Sequence, residues 1–133
     1  MIWKKVTEKQ IGGNYTWWDS ENDSHTLLPL LYCVGNALPY QPLDYFLRGI
    51  FTDDPLAPGG GDPGWVWYRE KQDDGTYRYY AWTYAEMSGL DPCEGDYDEA
   101  TVKRLVRETL ENFRKAHPDR AAEIDEVINK YDL

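Results

Sequence analysis

Histidine, cysteine and long apolar runs are scarce in this chain, and each scarcity removes a class of function. Only His25 and His117 occur, so a Ser–His or Cys–His nucleophile has two bases to draw on. His117 precedes Pro118 at a junction between two helical segments, where a capping or turn role is expected. His25 follows Ser24 in a polar stretch, and an Asp–His–Cys33 triad can be drawn, but no elbow or oxyanion motif accompanies it. Cys33 and Cys93 lie 60 residues apart with no CxxC and no paired His spacing, which points to two separate thiols of a reducing compartment. No apolar run approaches the roughly 20 residues of a membrane span. The opening Met1-Ile2-Trp3-Lys4-Lys5 lacks the apolar core of a secretory signal, so a cytoplasmic location is expected. Basic residues are the other shortage: 14 against 24 acids, a net charge of −10. That excludes nucleic acid, whose phosphates demand a basic footprint, and anionic membrane surfaces.

Aliphatic residues are few as well. Leu, Ile, Val and Phe number 26 of 133, close to the roughly 20% at which charged chains become disordered. Six Trp and 11 Tyr offset this, since each aromatic ring can bury roughly 150–250 Å². The length suits one domain with a thin, ring-rich core.

The clearest local element is a hairpin over residues 65–84. Trp65–Lys71 and Thr76–Tyr84 are dense in strand formers, and Asp74-Gly75 between them supplies the positive φ that tight turns use. Period-two alternation puts Trp65, Trp67 and Arg69 on one face of the first strand and Val66, Tyr68 and Glu70 on the other. Both faces carry rings, so the alternation leaves open which of them is inside. Residues 99–116 form a one-sided helical stripe of Val102, Leu105, Val106, Leu110 and Phe113, with Asp98 as N-cap and Arg114 and Lys115 at the C-terminal end of the dipole. Pro118 opens a second helix to about Tyr131. A shorter central helix is expected from Pro42 to Phe51. The run Thr26–Val34 is a buried strand or a helix, which period alone does not decide. Residues 1–7 and 14–18 are further strand candidates. The loop Pro55–Gly64, with Gly59-Gly60-Gly61 at its centre, reads as an irregular, mobile connector. The expected fold is therefore α+β: an antiparallel sheet around the 65–84 hairpin, packed against two C-terminal helices and a shorter central one.

Motif chemistry is thin. The glycine loop lacks the Lys and helix N-terminus of a phosphate cradle. Asp91–Glu99 gathers five carboxylates in nine residues, but the EF-hand register is absent and Val102 stands at the twelfth position, so no metal or other cofactor is expected. No carboxylate pair is singled out by spacing for glycosidase chemistry, and the chain reads as non-catalytic.

Charge pattern is the strongest functional signal. Between Lys9 and Arg69 the only base is Arg48, against Asp19, Glu21, Asp23, Asp44, Asp53, Asp54 and Asp62. Between Arg78 and Lys103 there is none, against Glu86, Asp91, Glu94, Asp96, Asp98 and Glu99. Segregated charge creates a sided field that speeds and selects association with a basic partner, and rings bordered by charge are how tight interfaces are built. In size, acidity and aromatic content the whole chain resembles the immunity proteins of bacterial toxin systems, which block nuclease toxins, often by covering the basic site meant for nucleic acid. That resemblance implies an inhibitor of a basic, nuclease-type toxin and assigns no residue. The expected contacts are Asp53, Asp54, Asp62, Asp91, Glu94, Asp96 and Asp98 as acids, with Trp65 or Trp67 as the desolvated anchor. The alternative is a carbohydrate- or peptide-binding module that uses an aromatic strand face.

Overall fold

The hairpin forms around a packing decision: β4 (Trp65–Lys71) and β5 (Tyr77–Thr83) pair antiparallel, Trp65 opposite Thr83 and Lys71 opposite Tyr77. The structure, a computed structural model, describes residues 8–61 and 64–133. Gly75 turns the chain at φ +89°, and the Asp74 carboxylate accepts from the Thr76 amide and hydroxyl. The edge strands β3 (Gly60–Gly61) and β6 (Glu94–Tyr97) complete a four-stranded sheet of order β3-β4-β5-β6. A separate two-stranded ribbon pairs β1 (Glu8–Gln10) with β2 (Trp17–Asp19). The expected strand at 1–7 lies outside the described residues.

Helices pack on one side of the four-stranded sheet. The run around Thr26–Val34 is helical: His25–Leu27 form a 3₁₀ turn capped by the Ser24 hydroxyl, and α1 (Leu28–Ala37) follows with Pro29 in its first turn, where proline fits a helix. Nine of the ten residues of α1 are buried, so it has no polar face for a periodicity to reveal. It lies centrally under the sheet, with the Cys33 thiol against the carbonyls of Val66 and Trp82. Ile11–Gly13 cross it so closely that a Cβ on Gly35 would fall on the Ile11 carbonyl oxygen. α4 (Glu99–Ala116) packs beside α1 and buries Val102, Leu105, Val106, Leu110 and Phe113, and the Asp98 carboxylate caps it by accepting from the Thr101 amide at 2.8 Å. A 3₁₀ turn at Pro118–Arg120 leads into α5 (Ala121–Lys130), which closes the layer behind α4. A short helical turn, α3 (Ala85–Ser88), joins β5 to the loop before β6. No helix among the described residues is long and apolar enough to cross a membrane.

Two expectations are revised. The central helix is shorter than 42–51: only α2 (Leu47–Phe51) is regular, and residues 42–46 form turns. The glycine run is held rather than free. Gly59 accepts from the Trp67 amide at 2.8 Å, and a Cβ on Gly60 would collide with the Trp65 carbonyl, so glycine is there for close approach to β4.

The inner sheet face is the core. Trp65 and Trp67 are 2% and 0% exposed, joined by Tyr79, Ala81 and Tyr97. Phe46 packs edge-on against Trp65 at 4.8 Å, and the Trp67 indole N–H donates to the Phe46 carbonyl at 3.2 Å. At about 25 cal/mol per Å² and roughly 150–250 Å² per ring, each indole contributes about 4–6 kcal/mol. Trp65 and Trp67 are therefore not available to a partner, contrary to the expectation that one of them is the anchor. Replacing Trp67 with alanine is expected to cost about 3–5 kcal/mol in urea unfolding.

Asp44 ties the segment before α2 to the last helix, accepting from Lys130 Nζ at 2.8 Å and the Tyr131 hydroxyl at 3.1 Å. Burial is the largest single influence and opposes its ionisation, but the bonds from Lys130 and Tyr131, with the charges of Lys130 and Arg48, together hold its carboxyl below the ordinary 3.8. A folded-state value below the unfolded one stabilises above about pH 4 and is lost as pH falls through the depressed value. Urea midpoints of wild type and Asp44→Asn are expected to differ at neutral pH and converge near about pH 2.

Candidate functional site

Burying Trp65 and Trp67 turns every alternate residue outward. The outer face therefore carries Val66 and Tyr68 from β4, Tyr80 and Trp82 from β5, and Glu94 and Asp96 from β6, in two cross-strand rows: Val66–Trp82–Glu94 and Tyr68–Tyr80–Asp96. Val66 is 39%, Tyr68 44% and Trp82 38% exposed. Tyr68 and Tyr80 stack at 5.1 Å with their planes 19° apart. Trp82 leans toward the exposed Tyr84 at 6.2 Å. Tyr68, Tyr80, Trp82, Glu94, Gly95 and Asp96 line an open groove of about 380 Å³. Among the described residues, no helix covers this face.

The charges around it are unequal. Arg78 stands at one end and donates through Nε to Asp96 at 2.8 Å, and this bond raises the pKa of the Arg78 guanidinium. Glu94, on the same edge, has no basic partner among the described residues, and neither do Glu70, Glu86 or Asp91. Most cations elsewhere among the described residues are engaged inside the chain: Lys103, Arg104 and Arg107 pair with Glu99, Glu108 and Glu111 along α4, Arg114 with Asp125, Arg120 with Glu123, and Lys130 with Asp44. The acid surplus is left over on loops, on exposed helix positions such as Glu86 and Glu126, and on the outer sheet face.

The acids expected to act together are divided. Asp53 accepts from the Tyr77 hydroxyl at 2.7 Å and Arg69 Nε at 3.0 Å, both inner-face residues at the turn end of the hairpin. The Tyr77 bond and then the Arg69 bond and charge lower its pKa. Asp54 accepts from the Leu56 amide within its own turn, and Asp62 lies outside the described residues. Asp98 is occupied as the cap of α4, its pKa lowered first by the Thr101 bonds. Only Glu94 and Asp96 border the aromatic strip, while Asp91 stands free in the loop that leads to β6.

No family model, curated protein or solved structure matches this chain. The local geometry alone carries the functional argument. The residues that sequence reasoning missed are Val66, Tyr68, Tyr80 and Trp82. Their signal was present in the alternation, but which face is buried depends on α1 and α2.

The Asp–His–Cys33 arrangement does not form: the Cys33 thiol lies against the carbonyls of Val66 and Trp82. Cys33 is fully buried, and desolvation pushes its thiol up to about 12, so it offers no thiolate at neutral pH. His25 packs against Trp18 with ring centroids 4.8 Å apart and planes tilted by 59°, and the His117 ring bonds to the Tyr15 hydroxyl at 2.8 Å at the end of α4. No group of three or more His, Cys, Asp or Glu among the described residues is placed to hold a metal. In native protein treated with a disulfide reagent, partly exposed Cys93 is expected to react readily and Cys33 only after unfolding; two fast thiols would contradict the burial of α1.

Proposed function

We propose that the protein is a non-catalytic, cytoplasmic binder that neutralises a basic protein, as immunity proteins do for nuclease-type toxins, and that it binds through the outer face of the four-stranded sheet. One observation carries this reading: an uncovered strip of Val66, Tyr68, Tyr80 and Trp82 is bordered by Glu94, a carboxylate with no cation of its own among the described residues. Apolar rings at the centre of an interface exclude water and slow dissociation. Unpaired acids at its rim attract a basic surface and speed encounter. The net charge of −10 extends that attraction beyond the contact itself. Since the chain's cations are largely engaged with its own acids, a cationic partner meets little repulsion on this side.

A second reading has its own support. Tyr68 and Trp82 are exposed rings on a strand surface, which also suits stacking on a sugar ring or an extended peptide. Salt separates the two, because ring stacking on an uncharged ligand is insensitive to ionic strength whereas a charged interface is screened within about 10 Å at 0.1 M.

The experiment is retention of a basic protein from the source lysate at low salt, followed by kinetics with that purified protein. Trp82→Ala is expected to weaken binding about 30-fold, corresponding to a hot spot of roughly 2 kcal/mol, mainly through faster dissociation. Glu94→Lys is expected to slow association about tenfold at low salt and leave dissociation nearly unchanged. Wild-type behaviour in both variants overturns the outer face as the binding surface. Salt-independent retention of a glycan instead of a protein favours the second reading.

A further inference from the structure

We infer that the groove beside Glu94 is a receptor for an arginine side chain, with the guanidinium lying over the Trp82 indole and forked onto the Glu94 carboxylate. This deepens the proposed function and rests on it for the partner, but the groove's chemistry stands on its own geometry. The Thr83 amide donates to the Cys93 carbonyl at 2.8 Å, so residues 83/93, 81/95 and 79/97 form the hydrogen-bonded pairs of the β5–β6 ladder. Trp82 opposite Glu94 and Tyr80 opposite Asp96 are then the pairs without ladder bonds, whose side chains stand closest. Each carboxylate is thus held beside a ring on the same face, with Cβ atoms about 4.5–5.5 Å apart.

The two carboxylates are not equivalent. Asp96 already holds Arg78, so a second cation at that end meets both a satisfied acid and a like charge. Among the described residues, Glu94 is unpaired and the exposed indole next to it has no cation over its face. An incoming positive group is directed to the Glu94 end. The groove, about 380 Å³, is at the small end of the roughly 300–1,000 Å³ that ligand pockets occupy, and it is open along one side. It suits one long side chain entering from a partner's surface rather than an enclosed small molecule.

Arginine is favoured over lysine by the same features. A guanidinium is planar, weakly hydrated and forked, so it stacks on a ring while donating two bonds to a carboxylate; an ammonium is a compact, strongly hydrated point charge. The chain uses this arrangement internally at the other side of the sheet. Arg69 lies 3.8 Å over the Tyr77 ring and donates through Nε to Asp53 at 3.0 Å. Trp82 and Glu94 present the ring and the carboxylate of that arrangement without the arginine.

The test uses the whole chain and three blocked pentapeptides of glycine carrying one central arginine, lysine or citrulline, titrated at low salt and followed by NMR. The Trp82 indole signal is assigned by its loss in Trp82→Phe. The arginine peptide is expected to shift that signal and the amides of Glu94 and Asp96, to bind at least fivefold tighter than the lysine peptide, and to lose about tenfold in affinity with Glu94→Gln. Glu126→Gln, on the exposed side of α5, is expected to bind as wild type, and citrulline not to bind. Equal binding of arginine and lysine, shifts unaffected by Glu94→Gln, or no perturbation of Trp82 overturns the receptor. Those failures leave the basic-partner reading to its own retention experiment. Loss of partner retention with intact arginine binding overturns that reading and spares the groove.

Discussion

Burial of the Trp65 and Trp67 indoles against α2 and its flanking Phe46 is the constraint on which the rest depends. A strand has only two faces, and successive side chains alternate between them. Once those two rings are inside, Val66 and Tyr68 must be outside. The β4–β5 register carries Tyr80 and Trp82 out with them, and the β5–β6 register adds Glu94 and Asp96. A slip of one residue would exchange the two sets entirely. The core and the candidate binding face are thus a single choice viewed from two sides, and the hydrophobic gain on the inside holds the aromatic strip in place on the outside.

Electrostatics works by subtraction. The long helix α4 carries much of the positive charge, yet Lys103, Arg104, Arg107 and Arg114 sit three or four positions from acids and pair along the helix surface. Exposed pairs of this kind add little stability, typically under about 1 kcal/mol each. Their larger effect is on the field: cations held close to acids no longer offset the surplus elsewhere. What remains unpaired is mostly negative, and part of it, Glu94 foremost, borders the outer face of the four-stranded sheet, which no described helix covers. Asp53 illustrates the opposite outcome. It is as acidic in sequence terms as Glu94, but Arg69 and Tyr77 reach it from the inner face and turn it into a structural contact.

Local signals were legible where local physics decides. The 65–84 hairpin follows from ring-rich strands on either side of Asp74-Gly75. The 99–116 helix follows from its one-sided stripe and from the Asp98 cap, which forms the bond expected of it. Helix α1 was not legible as a helix, because a segment buried on nearly every side has no amphipathic period to display, and Pro29 suits a first helical turn as well as it disfavours a central strand. The glycine run misled for a related reason: Gly60 is needed where another backbone comes close, and proximity between residues 60 and 65 is a tertiary fact that composition expresses only as apparent flexibility.

By itself, the sequence determined the α+β composition, the hairpin with its two ring-bearing faces, the C-terminal helices and the excess of acid over base. Those properties depend on residue type and on spacing within a few positions, which a one-dimensional reading can capture. Only the tertiary structure decided which face of the hairpin is the core, and with it whether Trp65 and Trp67 or Tyr68 and Trp82 are offered to a partner. It also decided which acids are satisfied and which are free. The physical reason is the same in both cases: burial and ion pairing are set by what another segment brings up against a side chain, and for Trp67 and Asp53 those segments arrive from 21 and 16 residues away.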